Sequence, residues 1–353
     1  MKNQLFLLLL VGSLCWQCTE STSSEEAKKP AIEEPSAAAE SAKSYLTTGA
    51  ILRKSPELDQ YIEPGTLVEI VGEGFEWSEG PVWVPALNAL LFSDVPQNKI
   101  YKWTEAKGIE DYLSPSGYTD STARGGETGS NGLLLNTDGK LVLCQHGDKR
   151  LATLEAPFDQ VSPIFSTITD RFEGKRYNSP NDVCQSKSGA YYFTDPPYGL
   201  AGGQYDTNRE IEFQGVYKVV NGKSSLVTDQ LSRPNGIALA PDQKVLYVAN
   251  SDPEYAVWMK FVLDENEEVT KTTVFHNATK MVGRVQGLPD GLKVHSSGVI
   301  FASGPGGVWI FKPDGTQLGT IRLDQACSNV ALQTDESALY ITADHQLLRV
   351  KLK

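Results

Sequence analysis

The sequence predicts an all-β protein, a six-bladed β-propeller with four antiparallel strands in each blade. From residue 66 onward, short runs rich in Val, Ile, Tyr, Phe and Leu are punctuated by Gly, Asn, Asp and Pro about every 8–12 residues. No segment keeps an apolar period of about 3.6 residues, so we expect almost no helix. A short motif recurs six times, about 40–55 residues apart, which is the spacing of propeller blades.

Each copy of the motif begins with a polar lead residue at the start of an apolar run, followed by a turn and a second strand. The six lead residues are Glu79, Asn131, Asn181, Asn235, Asp290 and Asn329. The last copy runs out of chain after its third strand. We therefore expect the strand at residues 66–72 to supply the outermost strand of the last blade and to close the ring, which protects the sheet edges.

The N-terminus is typical of an export signal. Lys2 precedes an apolar run over residues 5–11, which is too short to span a bilayer. The run ends in a segment that resembles a bacterial lipoprotein signal, and this predicts a signal peptide over residues 1–18 with Cys18, rather than Cys15, as the lipidated residue. A plain cleaved signal is the alternative. The expected location is the bacterial cell envelope, facing the periplasm or at the cell surface.

Residues 19–50 are predicted to be a disordered tether, and residues 51–353 the propeller. Between residues 19 and 44 there is no aromatic residue, and Ile32 is the only large aliphatic one. Such a composition buries too little apolar surface to offset the entropy of ordering.

Composition narrows the classes of partner. The 353 residues include 32 Lys and Arg against 44 Asp and Glu, giving a net charge of −12. This argues against nucleic-acid binding and against electrostatic docking on anionic lipid, so contact with a membrane is expected only through the anchor. Cys144, Cys184 and Cys327 are far apart without metal-ligand spacing, which predicts buried free thiols. A monomer or weak oligomer is expected.

The lead residues are the candidate site, because the innermost strands of a propeller line its central channel. All six carry side-chain oxygen atoms, and two are carboxylates. Strand starts favour Asn and Asp for turn reasons, but six equivalent positions favour a hard-cation site. Mixed carboxylate and amide oxygens suit Ca²⁺ best, with Mg²⁺ or Mn²⁺ as alternatives, whereas Zn²⁺ usually has His or Cys ligands. Such an ion can polarise a carbonyl group and activate water.

Six segments together resemble the gluconolactonase family that includes regucalcin (senescence marker protein). They are residues 75–83 (FEWSEGPVW), 178–183 (NSPNDV), 193–199 (FTDPPYG), 233–236 (RPNG), 288–291 (LPDG) and 304–309 (GPGGVW). The bacterial gluconolactonases are the nearer branch, since the animal proteins have Arg two residues before the third-blade Asn, where this chain has Ser179. The resemblance implies a six-bladed propeller.

The resemblance also implies site residues. Glu79, Asn235 and Asp290 match the metal ligands of the family, and Asn181 matches a fourth ligand or substrate contact. Asp290 is also the family's candidate general base. A carboxylate cannot easily be both a tight ligand and a free base, so its role stays open. The implied cofactor is a divalent metal, with Ca²⁺ ahead of Mg²⁺, Mn²⁺ and Zn²⁺.

The implied reaction is hydrolysis of a small sugar lactone, with the cation stabilising the oxyanion. Asn131 and Asn181 would then hold sugar hydroxyls or the leaving oxygen. His146 is a candidate catalytic proton relay, or else a structural histidine. Glu127 and Tyr198, on two loops at the channel mouth, are expected to line the pocket and contact substrate.

Two other functions remain open from sequence. One is an organophosphate or other ester hydrolase, since related propellers use a similar set of Glu, Asn and Asp residues. The other is a sugar-binding propeller without turnover, because a fold does not imply a function. No Gly-x-Ser-x-Gly elbow or phosphate-binding loop is present.

Overall fold

The computed structural model describes residues 43–353, and these residues are almost entirely β-structure. Residues 45–353 form one compact unit. Its only helical segments are four short 3-10 helices, at Pro56–Gln60, Pro85–Leu87, Gly203–Tyr205 and Thr279–Met281. None of the helices in this part of the chain has the length and hydropathy needed to cross a membrane. The all-β prediction is confirmed.

Six antiparallel sheets surround a central channel as blades one to six. The three strands before the first blade are β1 (Leu46–Thr48), β2 (Ala50–Arg53) and β3 (Val68–Glu73). Blade one has β4 (Ser78–Val84), β5 (Ala89–Asp94), β6 (Lys99–Thr104) and β7 (Gly108–Leu113). Blade two has β8 (Ser130–Leu135), β9 (Leu141–Gln145), β10 (Arg150–Leu154) and β11 (Phe165–Thr169). A small hairpin of β12 (Arg171–Phe172) and β13 (Lys175–Arg176) follows.

The other four blades continue the pattern. Blade three has β14 (Val183–Gln185), β15 (Tyr191–Asp195), β16 (Gly215–Val220) and β17 (Lys223–Thr228). Blade four has β18 (Pro234–Leu239), β19 (Val245–Asp252), β20 (Tyr255–Leu263) and β21 (Val269–Asn277). Blade five has β22 (Leu292–Val294), β23 (Ile300–Gly304), β24 (Gly307–Phe311) and β25 (Gln317–Arg322). Blade six has β26 (Asn329–Leu332), β27 (Ala338–Ala343) and β28 (Gln346–Lys351).

The ring closes as predicted, through a strand from the N-terminal side. β3 pairs antiparallel with β28, with Val68 opposite Val350 and Ile70 opposite Leu348. Packing reinforces the closure, because the ring of Tyr340 in blade six stacks on Trp83 of blade one at a centroid distance of 5.6 Å.

Two further strands extend the blades beyond the predicted four. β1 pairs with β3 and gives blade six a fifth strand, while β2 pairs with β25 and gives blade five a fifth strand. The folded unit therefore begins at Tyr45, and the boundary predicted at residue 51 is too late. Residues 1–42, which include the predicted signal segment, Cys18 and most of the predicted tether, lie outside the described residues.

The core lies between neighbouring blades, where the inward faces of the strands meet. The largest cluster joins blades five and six through residues such as Phe301, Ile310 and Ile341, all fully buried. Cys144 and Cys327 are buried and Cys184 is half-buried, and all three are free thiols, as predicted.

Candidate functional site

Five of the six lead residues converge on one cavity of about 740 Å³ at the mouth of the channel. They are Glu79 in β4, Asn131 in β8, Asn181 before β14, Asn235 in β18 and Asp290 before β22. The sixth, Asn329, does not line the cavity. Its side-chain oxygen accepts a hydrogen bond from the amide of Val330, and its side-chain nitrogen lies 3.4 Å from Asp182.

Carboxylates at the ends of second strands fix the segments that deliver two of the lead residues. Asp94 accepts hydrogen bonds from the amides three and two positions before Glu79, at 3.0 and 3.2 Å. Asp195 does the same for the amides before Asn181, at 2.9 and 2.7 Å. Burial raises the pKa of Asp195 to about 7, although both amide hydrogen bonds act to lower it.

Hydroxyl groups join adjacent blades around the channel. Each donates a hydrogen bond to a backbone carbonyl of the next blade: Ser93 to Asn131 (2.9 Å), Thr194 to Asn235 (2.7 Å), Ser303 to Ser328 (2.8 Å) and Ser328 to Ser78 (2.6 Å). Between blades two and three, the amide of Gly132 donates to the carbonyl of Asn181 at 2.7 Å instead. The lead residues thus stand on a backbone that is cross-linked from blade to blade.

Glycine follows the lead residue in four blades because the next blade leaves no room for a side chain. A Cβ atom at Gly80 would lie 2.0 Å from the carbonyl oxygen of Asn131, and one at Gly236 would lie 2.2 Å from that of Asp290. Blade three departs from this pattern, since Asp182 occupies the equivalent position.

Asp182 fills the channel beside the lead residues and is only 1% exposed. Its Oδ2 atom lies 3.8 Å from Nζ of Lys293 in blade five and 3.4 Å from Nδ2 of Asn329 in blade six. The ammonium group of Lys293 also donates to the carbonyl of Leu292 at 3.2 Å. An ion pair therefore crosses the channel just outside the cavity, and the sequence interpretation assigned no role to either partner.

The two carboxylates among the lead residues, Glu79 and Asp290, have strongly raised pKa values. Burial raises the pKa of Glu79 to about 8, in spite of a hydrogen bond from the amide of Gly80 at 2.8 Å, and the charge of Asp182 adds to the shift. Burial and the charge of Glu79 hold the pKa of Asp290 well above its ordinary value. Burial and neighbouring carboxylates therefore disfavour the ionised state of both acids.

The donor atoms fit a hard cation. Oδ1 of Asn131, Oδ1 of Asn181 and Oδ1 of Asp290 are buried acceptors without a hydrogen-bond partner among the described residues. The side-chain nitrogen of Asn235 donates to Ser251 at 3.0 Å, which leaves its oxygen for a ligand. Buried acceptors are normally paired, so several unpaired ones beside two acids are the arrangement that a cation satisfies.

The acidic side chains do not form a metal-binding cluster by themselves in the described part of the chain. Within residues 43–353 no group of three or more His, Cys, Asp and Glu is placed to hold a metal ion. A cation between the lead residues would therefore depend on the amide oxygens as well as on Glu79 and Asp290.

Residues 77–345, most of the chain, match the profile of the SMP-30/gluconolactonase/LRE-like region. The chain belongs to this family. A gluconolactonase from Zymomonas mobilis subsp. mobilis is 41% identical over 315 residues, which is 87% of this chain and 87% of that protein. The resemblance seen in the sequence motifs is confirmed.

Solved structures of the family have the same architecture. A gluconolactonase from Xanthomonas campestris has a TM-score of 0.76 at 25% identity, covering 88% of this chain and 98% of that one. The calcium-binding protein regucalcin from Agrobacterium tumefaciens shares the fold, with a TM-score of 0.61 at 19% identity over 80% of this chain and 94% of that one. The prediction of a six-bladed propeller is confirmed.

Loops form the wall of the cavity, and the predicted wall residues Glu127 and Tyr198 line it. His146 does not line it, being fully buried behind Glu127, with its Nδ1 atom 3.3 Å from Oε2 of that residue. The sequence interpretation missed a third stretch of wall, residues 282–288, in which Arg284 is exposed to the cavity. No repeat marks this stretch, so the sequence carried no signal for it.

Proposed function

We propose that this chain is a lactone hydrolase that opens a sugar lactone with the help of a divalent cation held by Glu79, Asn181, Asn235 and Asp290. The observation that carries the proposal is the set of unpaired buried oxygens beside two acids of raised pKa, at the base of the cavity. The 41% identity to a gluconolactonase supports the reaction class.

The cavity suits a monosaccharide-sized substrate. Its volume of about 740 Å³ lies within the range of small-molecule pockets. Asn131 offers an unpaired amide oxygen to a sugar hydroxyl, and the phenol of Tyr198 is placed near Ser251 and Asn235. Trp77 adds an aromatic side chain to the lining. These groups orient the lactone ring, while the blades exclude water from below.

Calcium is the ion that we propose. When bound, such a cation supplies positive charge to the lactone carbonyl and to the oxyanion that forms from it. Oxygen-only donors of mixed charge match Ca²⁺, and the related fold of regucalcin belongs to a calcium-binding protein. Mg²⁺, Mn²⁺ and Zn²⁺ are the alternatives that the experiment has to separate.

The test is acid release from D-glucono-1,5-lactone, followed in a pH-stat with the full chain. EDTA should abolish turnover, and one of Ca²⁺, Mg²⁺, Mn²⁺ or Zn²⁺ should restore it. Glu79→Gln and Asp290→Asn should each lower kcat/KM at least about 100-fold and weaken cation binding in calorimetry. Glu254→Gln, an exposed acid in the β19–β20 turn, is the matched control and should behave like wild type.

Two results would contradict the proposal. Turnover that survives EDTA would remove the cation from the mechanism. A folded protein that binds the cation but opens no lactone would remove the reaction, and phosphoesters and then simple sugar binding would be examined next.

A further inference from the structure

Two acidic side chains that line the cavity, Glu127 and Asp324, lie outside the proposed cation site, and Asp324 is exposed to solvent. Glu127 lines the same cavity as Glu79 and Asp290, and its charge contributes to the raised pKa of both. It is carried by a loop rather than by an innermost strand, and it is half-buried. The cavity therefore holds a carboxylate close to the site that no cation needs.

Behind this carboxylate stands a fully buried histidine. Nδ1 of His146 lies 3.3 Å from Oε2 of Glu127, and neither ring nitrogen makes a hydrogen bond of good geometry with the described residues. The histidine is held in place, since a Cβ atom on Gly199 would meet its Cβ at 2.7 Å and its amide donates to Gly129 at 3.2 Å. The buried imidazole thus places a ring nitrogen next to the carboxylate of Glu127.

The loop around Glu127 is also tied to its surroundings. Nη1 of Arg124 donates to the carbonyl of Gly147 at 2.6 Å, and Nη2 donates to the carbonyl of Gly199. Gly126 has a φ of 80° and lies against the backbone of Leu200. The guanidinium group of Arg124 thus donates its hydrogen bonds to backbone carbonyls and does not pair with the carboxylate of Glu127.

We propose that Glu127 is the catalytic residue that transfers the proton in lactone opening, and that His146 is the positioning residue that holds its carboxylate. This inference rests on the proposed function. Water adds to the carbonyl carbon and gives its proton to Glu127 as the new C–O bond forms. The ester C–O bond then breaks, and Glu127 passes the proton to the departing ring oxygen, which leaves as a hydroxyl. One lactone and one water become one hydroxy acid.

The assignment resolves the double role that the sequence left open for Asp290. A carboxylate that contributes an oxygen to the cation is a poor proton acceptor, because the cation stabilises its ionised form. Asp290 has one buried oxygen without a partner, which suits a ligand. Glu127 is not one of the proposed ligands. Cation binding can therefore be assigned to Asp290 and proton transfer to Glu127.

The experiment measures kcat, KM and the cation Kd of variants on D-glucono-1,5-lactone. Removing a proton-transfer group costs about 10²–10⁴ in rate, so Glu127→Gln should lower kcat at least about 100-fold. Its KM and its calcium Kd should stay within about threefold of wild type, which distinguishes it from Asp290→Asn. Asp120→Asn, an exposed acid on the same loop, is the control that should leave all three unchanged.

His146→Asn tests the positioning role. We expect a fall in kcat of about tenfold with an unchanged KM, and the double variant with Glu127→Gln should be no slower than Glu127→Gln alone. Thermal melting shows whether each variant is folded. If His146→Asn does not fold, Glu127→Gln alone decides the main inference.

Three results would overturn the inference. Glu127→Gln within about threefold of wild type, while Asp290→Asn is inactive, would assign the proton to Asp290 and leave the proposed function intact. A calcium Kd weakened as much as kcat/KM would make Glu127 a ligand. A wild-type protein that binds calcium but opens no lactone would overturn the inference together with the function.

Discussion

The base and the wall of the cavity are built in different ways. The base consists of lead residues on or just before the innermost strands, cross-linked by hydroxyl groups and packed against glycines of the next blade. The wall consists of loops, among them residues 282–288, where Val285 is 41% exposed. The base repeats from blade to blade, whereas each wall loop is unique. The repeated, cross-linked base suits the cation and the reaction chemistry, and the loops, which do not repeat, are suited to set the substrate.

The largest predicted effect is on stability: one added methyl group should destabilise the protein more in the base than in the wall. Gly80 has a φ of 50°, and an added Cβ would lie 2.0 Å from the carbonyl oxygen of Asn131, so Gly80→Ala combines backbone strain with overpacking. We expect it to lower the free energy of unfolding by about 3–5 kcal/mol. Gly126 in the wall has a φ of 80°, and an added Cβ would lie 2.9 Å from the backbone of Leu200, so Gly126→Ala should cost only about 1–2 kcal/mol because this contact is less tight than the one at Gly80.

Urea unfolding of both variants checks this prediction. Gly108→Ala is the control for strain alone, since Gly108 has a φ of 73° and nothing within 4 Å of an added Cβ. Equal losses for Gly80→Ala and Gly126→Ala would mean that the base is no more rigid than the wall.

A smaller loss of stability is expected from breaking the ion pair between Lys293 and Asp182, the residue that stands in blade three where four other blades have glycine. Lys293→Met leaves the carboxylate of Asp182, 1% exposed, without its cationic partner. Breaking a buried pair costs about 3–5 kcal/mol, and since the Lys293 side chain is 27% exposed we expect about 2 kcal/mol. The double variant with Asp182→Asn should regain part of that loss. Urea unfolding of the two single variants and the double variant measures the coupling, and strict additivity would show that the pair is not coupled.

Repetition explains how much of this molecule could be predicted from sequence. The lead residues and the closing strand β3 follow from a motif that recurs at regular spacing. The added strands β1 and β2 did not, because they pair with β3 and β25 only through the closed ring, and their own sequence has no strong strand pattern.

The site was predictable to the same extent. Five lead residues reach the cavity as expected, and the sixth, Asn329, does not line it, because its side chain is engaged by Val330 and Asp182. The missing glycine in blade three was visible in the sequence, but its partner Lys293 lies two blades away and no local pattern connects them. In the same way, the sequence did not show that Glu127 lines the cavity while His146 lies behind it, and this distinction needed the structure.

The smallest predicted effect is a pH dependence of stability in the cation-free protein, caused by protonation of the acids in the base. With the pKa of Glu79 raised to about 8, the cation-free base retains a proton at pH 7, and burial also favours the protonated form of Asp290. Between the ordinary pKa of a Glu and about 8, the folded state binds more protons than the unfolded state, so the stability of the cation-free protein falls as pH rises through this window.

A cation must displace those protons, so its affinity should change in the opposite direction. The calcium Kd should weaken by up to about tenfold for each pH unit below 8, if one proton is released on binding. Calorimetry in buffers of different ionisation enthalpy measures that release directly. Glu79→Gln is the informative variant, because it removes one of the two coupled acids and should lower the number of protons released. A calcium Kd that is equal at pH 6 and pH 8 would show that the acids of the base are already ionised and that the cation displaces no proton from them.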